Sequence, residues 1–213
     1  MERLEKFEEW GHSGWDHFFS QKGKQWRDKD YRYLDRVFDL SVMEGSLLDV
    51  GCALGDGLIY LKTRAAKVNQ FVGADFSDEA IRICKSNPQL RRMFFFQHDI
   101  LKPFPDTYEN VICLQTLEHM QNPWIAMQNL INAAKSVLIV GVPYRNRRPD
   151  ADHLWSFDEK DFYDLVDLYC LDKKQKNIYW LVDKQKQGLS FRKKRYDILP
   201  ELVGRLFNAL RRA

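Results

Sequence analysis

No stretch of the chain approaches the roughly 20 consecutive apolar residues that a membrane-spanning helix needs. The opening decapeptide MERLEKFEEW is charged where a secretory signal would be apolar, so a cytoplasmic protein is expected. Only four cysteines occur, Cys52, Cys84, Cys113 and Cys170, with no C-x-x-C and no histidine at zinc-finger spacing, which predicts buried, reduced thiols rather than a disulfide framework. With 11 Gly and 7 Pro in 213 residues, no internal repeat and no low-complexity tract, collagenous, disordered and solenoid architectures are excluded. There is no H-E-x-x-H and no carboxylate-rich cluster. Asp150 with Asp152 is too thin a set for a divalent ion, so no metal is expected.

What is present is a composition of 45% hydrophobic and 30% charged residues, enough for one globular domain with modest extensions. The formal net charge of +3 is unevenly spread. Residues 170–213 hold 12 Lys or Arg against 4 Asp or Glu, whereas residues 1–169 hold 21 against 26. The basic character is therefore local, and nucleic acid is not the expected partner of the body.

Five β-rich apolar runs, 47–51, 71–75, 93–97, 110–114 and 136–142, read as strands buried on both faces. Helical patterns at 55–64, 78–86 and 123–134 fall between most of them, with Ser77 as the N-cap of the second. This alternation predicts an α/β fold, a doubly wound and mostly parallel sheet. Two further runs, 168–171 and 177–182, flank the polar Asp-Lys-Lys-Gln-Lys and predict an antiparallel edge hairpin that brings the sheet to seven strands. Short amphipathic spacing at 158–166 predicts a helix, as does the pattern over 27–39. The expected division is an aromatic, helical cap at 1–44, the sheet domain at 45–184 and a basic extension at 185–213.

Asp49-Val50-Gly51-Cys52-Ala53-Leu54-Gly55-Asp56-Gly57 runs a buried strand into a glycine-punctuated turn and a helix, an element suited to a nucleotide-like ligand. The dinucleotide pattern G-x-G-x-x-G would need glycine at 53 and 56, where Ala53 and Asp56 stand, and no G-K-[ST] follows. A carboxylate at 56 opposes a pyrophosphate. Asp49, inside the strand end, needs a cationic or N–H partner, which a ligand amino group would supply. Asp75 ends the second strand, where an acidic side chain holds ribose hydroxyls. The expected ligand carries a ribose and a cation.

On these residues the chain resembles the class I S-adenosylmethionine (SAM)-dependent methyltransferases, in the broad small-molecule group called type 11, over about residues 45–165. The family's D-x-G-C-G-x-G is matched by Asp49, Gly51, Cys52 and Gly55, with Ala53 in place of the middle glycine. The resemblance implies a glycine turn around the methionine moiety and Asp75 on the ribose. It implies Asp99 accepting from the adenine amine, Ile100 offering its backbone N–H, and Phe76 with Ile100 sandwiching the ring. Tyr108-Glu109-Asn110-Val111-Ile112 resembles the start of the family's fourth strand, and Leu117-Glu118-His119-Met120 its L-E-H-V exit. Gln115 is expected to line the cofactor pocket. The cofactor is SAM and the product S-adenosylhomocysteine.

Methyl transfer from a sulfonium needs alignment and dryness more than catalytic groups, but a hydroxyl acceptor benefits from a base. His119 after the fourth strand and His153 after the fifth are the candidates, and His153 to Phe157 resembles the family's H-x-x-x-[FY]. The segment bearing His12 and His17 can act in this family as a lid. Adenine-N6 and cytosine-C5 signatures are absent, so a small-molecule or sugar acceptor methylated on oxygen is preferred. N-methylation, a non-catalytic SAM-binding partner protein, and an RNA or protein methyltransferase are the alternatives. Leu199, Leu202, Val203, Leu206, Phe207 and Leu210 align on one face of a basic helix suited to an anionic membrane surface, a homodimer or the chain's own body.

Overall fold

The structure is a computed structural model and describes residues 1–4, 11–22, 28–146, 152–172 and 174–189. In chain order its elements are β1 (Glu2–Arg3), α1 (His12–Lys22), α2 (Lys29–Val37), β2 (Glu44–Val50), α3 (Asp56–Arg64), β3 (Lys67–Asp75), α4 (Asp78–Ser86), β4 (Phe94–Gln97), β5 (Tyr108–Leu114), α5 (Pro123–Ala133), β6 (Ala134–Pro143), β7 (Trp155–Ser156), β8 (Leu168–Asp172) and β9 (Asn177–Asp183). Among the described residues, seven strands form one sheet in the order β4-β3-β2-β5-β6-β9-β8, and β1 pairs separately with β7. The strands from β4 through β6 are parallel, while β9 runs antiparallel between β6 and β8. The predicted hairpin is thus formed, with β8 as the sheet edge.

Period-two alternation distributes the side chains between two cores. Leu48, Val72, Val111, Leu138 and Val182 are in register across the sheet and meet Met127 and Leu130 of α5 on one face. Ile112, Ile139 and Leu181 form a row on the other face, beneath Leu34 of α2, Leu58 and Leu61 of α3, and Ile81 of α4. The chain leaves β2 in one direction toward β3 and β4, then crosses back to β5 and β6. That reversal opens a crevice at the carboxyl ends of β2 and β5.

The caps follow local chemistry. Ser77 accepts from the backbone N–H of Ala80 (3.1 Å) and starts α4 as predicted. Asn122 accepts from Ile125 N–H (3.1 Å), with Pro123 in the first turn of α5. One expectation fails: residues 158–166 form a run of turns rather than a helix. Phe162 is left-handed (φ +58°) and fully buried against Phe157 and Trp180, so core insertion of its ring breaks the ladder a helix would need. The basic helix expected over 199–210 lies outside the described residues. No helix among the described residues is long and apolar enough to cross a membrane.

Candidate active site

The glycine turn sits where β2 ends. Gly51, Ala53 and Gly55 take φ of +73°, +48° and +80°, and the N–H groups of Gly51 and Cys52 both bond to the Ala74 carbonyl (2.8 and 3.1 Å), tying the turn to β3. A β-carbon at Gly51 would press on the Thr116 side chain, so the loop after β5 closes directly on this turn. Left-handed alanine costs about 1–2 kcal/mol. At Ala53 the strain is held by Asp75, whose Oδ2 accepts the Ala53 N–H at 2.8 Å. The buried Cys84 thiol bonds to the Ala53 carbonyl (3.2 Å), and its hydrogen bond with Cys52, together with burial, pushes the Cys52 thiol well up. Asp56 opens α3 half-buried, its carboxyl raised to about 6 by burial and by nearby Asp28. No pyrophosphate suits that position.

Asp49 is 0% exposed and lies on the sheet face beneath α2. The donor expected from a ligand comes from within the chain: the Tyr31 hydroxyl lies 2.8 Å from both Asp49 carboxylate oxygens. Burial raises the Asp49 carboxyl to about 8 despite this bond, and Asp75 adds to the rise. Tyr31 reaches Asp49 because Gly57 has no side chain. A β-carbon there would fall on the Tyr31 ring.

Asp75 is nearly buried, with Oδ2 on the Ala53 N–H and Oδ1 on the Ser77 N–H (3.0 Å). Burial lifts its carboxyl while these N–H groups pull it down. The Phe76 N–H also bonds to this carboxylate, which with about four acceptor sites keeps room for a ribose hydroxyl. Beside it stand half-buried Phe76 and, after β4, Asp99 and buried Ile100. Asp99 Oδ1 turns back to accept the Leu101 N–H (3.0 Å), and the Ile100 carbonyl accepts from Asn129 of α5 (2.9 Å). These residues give the apolar wall and the carboxylate that an adenine needs.

Helix α1 crosses this region. Its Phe19 packs with Ala53, Leu54 and Ala80, and its Asp16 accepts from the Ser77 hydroxyl and from the Glu79 N–H (3.1 Å) at the start of α4. One turn away Trp15 meets His119 edge-on, with ring centroids 5.1 Å apart. His17 is exposed.

The carboxyl end of β5 supplies the second cluster. Gln115 is left-handed (φ +51°) and bonds through its N–H to the Gly141 carbonyl (2.8 Å). A single helical turn, Leu117–His119, follows. His119 Nδ1 lies 3.0 Å from the Asp152 carbonyl and 3.3 Å from its carboxylate, and the His119 and His153 rings are 4.8 Å apart. Two backbone-directed bonds lock the segments together, Leu154 N–H to the Glu118 carbonyl and Trp155 Nε1–H to the Met120 carbonyl, both 2.7 Å.

A family model described as a methyltransferase domain matches residues 23–169. The chain belongs to the class I SAM-dependent methyltransferase family. A curated relative, the ubiquinone biosynthesis O-methyltransferase of Nitrosomonas europaea, is 28% identical over 152 residues, or 68% of this chain and 63% of that one; the methyltransferase thus spans less than two thirds of that relative's length. The N-methyltransferase NodS of Bradyrhizobium japonicum, solved with S-adenosylhomocysteine, superposes with a TM-score of 0.63 at 14% identity, covering 81% of this chain and 97% of its own. An O-methyltransferase family protein of Burkholderia thailandensis gives 0.64 at 10%, covering 80% and 59%. These two likenesses establish the shared fold.

The methyltransferase therefore gathers Asp49, Gly51, Cys52, Ala53, Gly55 and Asp75 around one turn, and Gln115, His119 and His153 at the neighbouring strand ends. Sequence reasoning gave no role to Tyr31 and Thr116, which reach the site from other elements and carry no motif, and it placed Trp15 and Asp16 only within the lid segment. It also passed over Glu118, although the Leu-Glu-His signature pointed at it.

Proposed function

We propose that this methyltransferase transfers the methyl group of SAM to a hydroxyl of a small molecule or sugar. The observation that carries the reading is the His119–His153 pair, oriented through Asp152 and covered by Trp15, beside the glycine turn on which Phe19 of the same helix rests. SAM, when bound, supplies a methyl already activated by its sulfonium, and the sulfur leaves as neutral S-adenosylhomocysteine. The chain's own task is to hold both partners in line and to exclude water. Asp75 would hold the ribose diol, Phe76 and Ile100 the adenine, Asp99 its amine, and the Gly51–Gly55 turn with Gln115 the methionine end. The imidazole pair draws off the acceptor's proton, a step that an oxygen nucleophile needs near neutral pH. The Nitrosomonas O-methyltransferase supports oxygen as the acceptor atom.

Calorimetric titration with S-adenosylhomocysteine tests the cofactor site. Asp75→Ala should weaken binding at least tenfold, and equal affinity in the two proteins would refute it. Transfer of labelled methyl to phenolic and sugar alcohols should exceed transfer to matched amines; label on the amines alone would refute the acceptor class.

A further inference from the structure

The acceptor reading gives Glu118 no task, yet Glu118 is the least expected residue of the cluster. Its side chain is 0% exposed, and neither carboxylate oxygen has a hydrogen-bond partner among the described residues. Buried carboxylates are otherwise paired or bound to a cation, because desolvation without compensation costs several kcal/mol. Donor atoms of Glu118, His119 and His153 all lie within 4.8 Å of one another. Bonds of about 2.0–2.2 Å to a shared ion would draw these atoms closer together. We propose that Glu118, His119 and His153 form a binding site for a divalent first-row transition-metal ion of the zinc class.

Three further features fit this assignment. Two imidazoles and one carboxylate favour a transition ion over magnesium or calcium, which take oxygen ligands, and they leave coordination positions open. His119 Nδ1 faces the Asp152 carbonyl and carboxylate, which fixes the tautomer whose Nε2 lone pair can ligate and supplies the outer partner that such histidines characteristically have. The bonds from Leu154 and Trp155 to the Glu118 and Met120 carbonyls hold the two ligand-bearing segments together before any ion arrives.

The catalytic consequence rests on the acceptor reading; the binding itself does not. An acceptor hydroxyl in an open position would be acidified by the ion and lose its proton to water, and the imidazoles would then act as ligands rather than as the base.

The test uses the untagged 213-residue chain, stripped with chelator and titrated with Co²⁺ while the visible d–d absorption is followed. One equivalent should bind and give a band, excess Mg²⁺ should not displace it, and Glu118→Gln and His153→Ala should each weaken binding at least tenfold. S-adenosylhomocysteine affinity should be unchanged in Glu118→Gln, which also confirms folding. Absence of the band, or Co²⁺ affinity unaltered in both variants, would overturn the site. Tight Co²⁺ binding with methyl transfer to alcohols unaffected by ion removal would keep the site and sink its role in the acceptor step.

Discussion

Replacing Gly57 by alanine sets local propensity against tertiary contact. Position 57 lies in the first turn of α3, where alanine favours a helix over glycine by about 0.8–1.0 kcal/mol. The added β-carbon, however, would lie inside 3 Å of Cζ, Cε1 and Cε2 of Tyr31, a separation that real β-carbons do not show. A ring cannot yield as a flexible chain end does, so Tyr31 or α3 must shift. Such overpacking costs about 1–3 kcal/mol. Displacing the hydroxyl also strips Asp49, which is 0% exposed, of its hydrogen bonds, at about 1–3 kcal/mol more. After the helix gain is subtracted, the variant should be less stable by about 1–5 kcal/mol, or roughly 2–4 °C of Tm per kcal/mol at this chain length. Scanning calorimetry without cofactor measures this directly. In a Tyr31→Leu background the ring is gone, and Gly57→Ala should become neutral or stabilising by up to about 1 kcal/mol. A stabilised Gly57→Ala in the wild-type background, or an equal penalty in both backgrounds, would refute the reasoning.

Asp49 gives a pH prediction. Its carboxyl is raised to about 8 in the folded chain against about 3.9 unfolded, so the native state binds the extra proton between those values. This contribution to stability is fully present below about pH 4 and is lost as pH rises through about 8. The Tm of Asp49→Asn relative to wild type should therefore improve from pH 5 to pH 8; a constant difference would count against a protonated Asp49. Asp16→Ala removes the carboxylate that seats α1 on the start of α4, a cap-like contact worth about 0.5–2 kcal/mol. Limited proteolysis should cut within α1 faster in this variant, and an unchanged cleavage pattern would show that Phe19 and Trp15 suffice to hold the helix.

Much of the molecule was legible without coordinates because its strands are buried on both faces and so read as unbroken apolar runs bounded by turn residues. The limits of β2, β3, β5 and β6 agree with those runs to within a few residues, and Ser77 announced its helix by the capping chemistry of one side chain. The glycine turn was equally readable, since left-handed backbone at Gly51 and Gly55 is a local demand that only a few residues meet cheaply. The 158–166 segment misled because helical spacing is also the spacing of side chains that happen to enter a core, and Phe162 entered it through a left-handed residue.

The sequence by itself determined the alternating α/β order and the glycine turn, both of which rest on neighbours along the chain. Only the tertiary structure decided who satisfies Asp49, that α1 lies across the turn and against His119, and that Glu118 and His119 meet His153. Those contacts join segments distant in sequence, and side-chain spacing along a chain holds no record of the distances that folding brings to within one hydrogen bond.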